Sequence, residues 1–89
     1  MSPTQRRDNM LNNQVRTWDV KNLALLETIA KIPREDFVPT KYKELAYSDS
    51  QIPLYDDQTM LEPKSLARAI EALNIKNSDT VLELGSGTG

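Results

Sequence analysis

The 89-residue sequence contains neither cysteine nor histidine. Without cysteine there is no disulfide framework and no thiolate metal site. Without histidine the other common transition-metal ligand is gone as well, so no metal centre is expected. Aromatic residues make up only 6% of the chain and the formal net charge is -2, a balance with no electrostatic pull toward nucleic acid or an anionic membrane. Neither is expected as a partner. Long apolar runs are missing too: no stretch approaches the ~18 residues of a membrane span. The opening Met1-Ser2-Pro3-Thr4-Gln5-Arg6-Arg7 leads into Asp8-Asn9 and not into the apolar core of a signal peptide. A reducing cytoplasm is the expected setting.

What is present, 38% hydrophobic and 27% charged residues, describes a globular chain with a thin core, because a chain this short buries only about 60% of its unfolded surface. Residues 7–17 carry Met10, Leu11 and Val15, with Trp18 beyond, at spacings near three and four, which predicts an amphipathic helix. Asp19 is expected to cap a second helix with Val20, Leu23, Leu26 and Ala30 on one face, widened by Leu25, Ile29 and Ile32, and stopped by Pro33. Residues 33–39 run between two prolines with room for a single helical turn. Phe37 and Val38 are expected to anchor it to the core, and Arg34 and Glu35 to form a local ion pair. A short helix is expected over residues 40–46.

From Tyr47 to Pro63 the pattern turns extended and turn-like, with turns at Ser48-Asp49-Ser50 and Asp56-Asp57, as suits a surface or an edge. Tyr47 and Leu54 are expected to close the helical layer onto a sheet. Pro63 suits the first position of a third helix whose stripe is Leu66, Ala67, Ile70 and Leu73. A polar turn, Lys76-Asn77-Ser78-Asp79, then precedes the β-rich run Thr80-Val81-Leu82-Glu83-Leu84, a predicted strand that ends on Gly85.

All three glycines, Gly85, Gly87 and Gly89, fall in the last five residues. A helix, a turn, a strand and a glycine loop is how a nucleotide-binding α/β sheet begins, with loop amides free to meet a ligand. The alternative is a plain glycine turn or a flexible tail. A dinucleotide fingerprint needs Gly-x-Gly-x-x-Gly, whereas Glu83-Leu84-Gly85-Ser86-Gly87-Thr88-Gly89 brings the third glycine one position early. It more closely resembles the first motif of class I methyltransferases. That resemblance implies that residues 85–89 (Gly85, Ser86, Gly87, Thr88, Gly89) wrap the amino-acid end of S-adenosylmethionine and that Glu83 faces its ammonium group. Glu83 facing solvent at a strand end is the alternative.

Upstream blocks narrow the family. Asn13-Gln14-Val15-Arg16, Ile32-Pro33-Arg34-Glu35-Asp36-Phe37-Val38-Pro39, Leu45-Ala46-Tyr47-Ser48-Asp49, Ile52-Pro53-Leu54, Gln58-Thr59 and Pro63, in this order and spacing, resemble the protein-L-isoaspartate O-methyltransferase family. The resemblance runs from about Asn9 to Gly89. It implies an α/β parent, Rossmann-like, of which residues 1–78 form an N-terminal helical region and residues 79–89 the first strand and glycine loop. This chain by itself is then mostly α-helical with a terminal β-strand. It also implies S-adenosylmethionine as cofactor, an isoaspartyl-containing protein or peptide as substrate, Gln58, Thr59 and Met60 at the substrate, and Thr59 near the cofactor too.

One departure bears on the substrate. The family pattern Gly-Gln-Thr-Ile-Ser-x-Pro is here Asp57-Gln58-Thr59-Met60-Leu61-Glu62-Pro63, so Leu61 stands where a serine hydroxyl is expected and offers no hydrogen bond to an acceptor. A methyltransferase with another acceptor, or a non-catalytic interaction module, are the alternative functions. Because the sequence stops on the third glycine, the expectation is a segment inactive alone, with residues 80–89 frayed or paired in a non-native way.

Overall fold

The computed structural model describes residues 1–89. Ser2 starts the first helix with a reciprocal cap: its hydroxyl accepts from the Gln5 amide while the Gln5 side chain accepts from the Ser2 amide. Pro3 fills the first helical position, where a missing N–H costs nothing. Helix α1 (Pro3–Met10) therefore begins four residues before the start at Arg7 that the sequence predicts. It widens into a π-helical turn over Leu11–Val15, tightens to a 3₁₀ turn over Arg16–Trp18, and stops at Asp19, whose φ of 64° is left-handed. The stripe is confirmed for Met10, Leu11 and Val15, all buried, whereas Trp18 is 44% exposed.

Asp19 is thus the end of one element and not the cap of the next, as the sequence suggests. The cap of α2 (Leu23–Lys31) is Asn22, whose side-chain oxygen accepts from the Leu25 amide at 3.1 Å. This later start leaves Leu23 on the first turn and exposed, while Val20 and Leu26 are buried and Leu25, Ile29 and Ala30 pack against the core. Ile32, at the C-cap with extended backbone, is exposed.

After Pro33 comes a 3₁₀ turn (Arg34–Phe37), as the spacing of the prolines predicts, and then a 3₁₀ helix (Thr40–Leu45) where a short helix is expected. Val38 is buried, but Phe37 is 38% exposed, so only one of the two expected anchors reaches the core. Strands β1 (Ile52–Pro53) and β2 (Thr59–Met60) pair antiparallel, with Ile52 opposite Met60 and Pro53 opposite Thr59. Helix α3 (Pro63–Leu73) then begins on its proline and ends at Asn74 with left-handed φ. Ala67 is buried where α3 meets the π turn, while Leu66 and Leu73 of the predicted stripe lie open to solvent. The carboxylate of Glu71 on α3 accepts from the amides of Lys21 and Asn22 at 2.7 and 2.8 Å, tying α3 to the start of α2.

The terminal strand predicted over residues 80–84 does not form. These residues are irregular, and Val81, Leu82 and Leu84 are 58%, 84% and 84% exposed. A β-rich run becomes a strand only against a neighbour that completes its ladder, and none lies beside it here. The chain is mostly helical with one two-stranded sheet, placed in the middle of the sequence and not at its end.

Candidate functional site

The residues implicated by sequence lie on two pieces of backbone, the β1–β2 hairpin and the glycine loop. The hairpin reverses through Asp56 and Asp57, with φ of 54° and 60°. Two successive left-handed residues mark the mirror-image turn that suits the right-handed twist of paired strands. Gln58 closes it, donating its amide to the Tyr55 carbonyl at 3.0 Å and accepting from Leu54 at 2.8 Å. The side chains of Gln58 and Thr59 are thereby presented to solvent and Met60 is half-buried against the core. Leu61, which follows the hairpin, is 48% exposed.

In the glycine loop Gly85, Gly87 and Gly89 all have positive φ, of 69°, 65° and 110°. The loop folds back on the rest of the molecule at two points. A Cβ on Gly87 would lie 3.1 Å from Leu54 Cδ1, and one on Gly89 would lie 3.2 Å from Phe37 Cδ1. Gly87 therefore touches the hairpin next to Gln58, and Gly89 touches the inter-proline turn. Residues 85–88 make no backbone hydrogen bond with their amides, and only Gly89 donates, to the Ser86 carbonyl at 3.2 Å. Exposed amides on left-handed backbone are a donor set for the polar end of a ligand, and Glu83 beside them is exposed. The Gly85 position opens onto free space, with nothing within 4 Å of a Cβ there. The candidate residues Glu83, Ser86 and Thr88 thus lie on or beside the glycine loop, and the candidates Gln58, Thr59 and Met60 on the hairpin that Gly87 approaches at Leu54. Two shallow clefts elsewhere flank the N-terminal helix, one lined by Asn9, Asn13 and Gln14 and the other by Asp8, Asn12 and Glu27, and neither includes these residues.

Behind the hairpin lies a polar network that composition and spacing do not reveal. The Tyr47 hydroxyl accepts from Arg7 Nε at 2.8 Å and from the Arg34 amide at 3.0 Å, and it donates to a Glu35 carboxylate oxygen. Arg7 also reaches the Ala30 carbonyl at 3.0 Å and Glu35 at 3.3 Å. Gln14 Nε2 donates to the Tyr47 carbonyl at 2.8 Å. Glu35 is therefore paired with Arg7, 28 residues away, and not with its neighbour Arg34. On a 3₁₀ turn successive side chains diverge by a third of a revolution. The Arg34 side chain points the other way, donating from Nε to the Ala46 carbonyl at 2.6 Å and from Nη2 to the Leu61 carbonyl at 2.8 Å.

Burial and the hydrogen bond to Glu35 raise the Tyr47 phenol above its ordinary value. Burial pushes the Glu35 carboxyl upward, but the hydrogen bonds from Tyr47, from its own backbone and from Arg7 outweigh it, and the carboxyl sits below its ordinary value. Burial lowers Arg34, partly offset by Tyr47. In the sequence Arg34, Glu35 and Tyr47 are signalled only by the two blocks in which they occur, and Arg7 lies outside every block.

The chain is similar to a protein-L-isoaspartate O-methyltransferase of Rhodopseudomonas palustris, with 39% identity over 80 residues that cover 90% of this chain and 37% of the relative. It is 40% identical over 83 residues to one of Koribacter versatilis, covering 93% of this chain and 37% of that protein. A second-numbered form in an Anaeromyxobacter species is 35% identical over 88 residues, covering 99% and 36%. The chain spans little more than a third of the length of these curated relatives. The pattern of that family matches residues 5–89, which take in the hairpin, the network behind it and the glycine loop, and the chain belongs to the protein-L-isoaspartate(D-aspartate) O-methyltransferase family.

Proposed function

We propose that this chain is the N-terminal part of an S-adenosylmethionine-dependent methyltransferase that esterifies isoaspartyl carboxylates in damaged proteins in the cytoplasm. The observation that supports the reading is that the glycine loop packs at Gly87 on Leu54, the hairpin residue hydrogen-bonded to Gln58, with loop and hairpin both inside the family match. Residues 1–78 form the helical region in this reading. Residues 79–89 begin the cofactor-binding domain of a Rossmann-like α/β protein, and the run at 80–84 becomes a strand there once a neighbour pairs with it.

The bound cofactor supplies an electrophilic methyl on a sulfonium. The amides of residues 85–88 bind its amino-acid end, and the Glu83 carboxylate faces its ammonium group. An acceptor carboxylate needs no proton removed near neutral pH, so the chain's contribution is to hold the nucleophile in line with the methyl and to keep water out. Thr59 and Gln58 orient the acceptor by hydrogen bonding. Leu61 adds an apolar flank where the family pattern has serine, which favours an acceptor with an apolar neighbour.

Methyl transfer from labelled adenosylmethionine by the full-length protein, with an isoaspartyl peptide and with a panel of other carboxylates, tests the reading. Transfer to the isoaspartyl peptide is expected. Transfer only to another carboxylate would replace the substrate, and no transfer to any acceptor would refute the enzyme reading.

A further inference from the structure

The two halves of the candidate site are each held by the same four-residue turn. From Arg34–Phe37, Phe37 lies beside Gly89 of the glycine loop, where a Cβ on that glycine would come within 3.2 Å of its ring, while Arg34 Nη2 donates to the Leu61 carbonyl at 2.8 Å, directly after β2. The turn is itself fixed. It lies between Pro33 and Pro39, whose rings lock φ. Its Arg34 amide donates to the Tyr47 hydroxyl and Arg34 Nε to the Ala46 carbonyl at 2.6 Å. Two strands of two residues form too short a ladder to be stable unaided, and the hairpin is anchored to the core only by Ile52, with Met60 packed beside it. Its exit at Leu61 depends on a bond from outside, and Arg34 makes it.

We propose that the inter-proline turn sets the distance between the donor-binding loop and the acceptor-binding hairpin, with Arg34 as the positioning residue on the acceptor side. The inference deepens the methyl-transfer reading and rests on it. Methyl transfer tolerates little error in approach: a displacement of about 1 Å can cost on the order of a hundredfold in rate. A planar guanidinium grips two carbonyls at once from Nε and Nη2, which a lysine ammonium on its flexible stem does not reproduce. Arg34→Lys therefore keeps the charge and loses the two-point hold.

The test is Arg34→Lys and Arg34→Ala in the full-length protein, read three ways. Methyl transfer to the best acceptor is expected to fall roughly 10- to 100-fold in kcat/KM in both variants, while the calorimetric Kd for adenosylmethionine stays within about twofold. Hydrogen exchange is expected to speed up over residues 51–62 and to stay unchanged in α1 and α2. Acceptor kinetics of Arg34→Lys within twofold of wild type would overturn the proposal. So would faster exchange spread equally over α1 and α2, which would make Arg34 a general support of the fold. Unchanged hairpin exchange overturns it even if wild-type protein transfers no methyl group, and that latter result alone refutes the methyltransferase reading.

Discussion

At the scale of single residues, Tyr47 carries more of the structure than its position suggests. One hydroxyl joins Arg7 of α1 to the adjacent Arg34 amide and Glu35 carboxylate of the inter-proline turn, 27 and 28 residues further along the chain. Tyr47→Phe keeps the ring and leaves those partners short of a bond in a half-buried place, so it is expected to destabilise the protein by about 1–3 kcal/mol. The urea midpoint of the variant measures this, and an unchanged midpoint would show the network to be dispensable.

The same residues set a pH dependence with a definite sign. Glu35 sits below its ordinary value. Its contribution is therefore present above the usual carboxylate range near 4.3 and is lost as the pH falls through its depressed value. Tyr47 sits above its ordinary value. Its contribution is complete below about pH 10 and is lost as the pH rises through the raised value. Glu35→Gln removes the acid limb and, because Glu35 helps to hold the Tyr47 phenol up, weakens the alkaline one. The gap in melting temperature between wild type and this variant is expected to narrow on acidification below about pH 4, and a gap constant from pH 7 to pH 3 would contradict the assignment.

At the scale of elements, the hairpin turn holds two successive aspartates in left-handed backbone. Asp57 stands where the family pattern has glycine, and its φ of 60° is the left-handed conformation that glycine adopts without cost. Aspartate tolerates it, at a fraction of the penalty of a bulkier residue. Asp57→Gly is expected to stabilise the hairpin by about 0.5–1 kcal/mol, seen as slower hydrogen exchange at residues 54 and 58, and faster exchange there would sink the idea. The turn at Asp56-Asp57 and the proline start of α3 at Pro63 are legible in the sequence, because their local chemistry is sufficient, whereas the start of α1 at Pro3 lies four residues ahead of the expected one. The misplaced cap was not legible, since Asp19 and Asn22 are both good cap formers and only the tertiary bonds from Glu71 to the amides at 21 and 22 distinguish them. The Glu35 partner was equally hidden, because a contact across 28 residues leaves no local trace. The run at 80–84 has the composition of a strand, but strand formation is a property of pairs and not of one segment.

At the scale of the whole molecule, the shape limits what this chain can do without further structure around it. Its shortest dimension is 19 Å, about two layers of secondary structure, and only 11 of 89 residues are buried. The residues proposed to meet the cofactor are open to solvent. Glu83 and residues 85–89 are exposed, as are the apolar side chains of Val81, Leu82 and Leu84 that precede the loop. A ligand of the size of adenosylmethionine gains affinity by being enclosed, with most of its surface buried between walls, and here the loop offers a single wall. The 89-residue chain is therefore expected to bind adenosylmethionine with a Kd weaker than about 1 mM, corresponding to less than about 4 kcal/mol. The full-length protein of which we propose it is the N-terminal part should bind in the micromolar range by isothermal calorimetry. Micromolar binding by the short chain, abolished by Gly87→Val, would mean that loop and hairpin suffice as a site. Equal and weak binding by both proteins would refute the cofactor assignment itself.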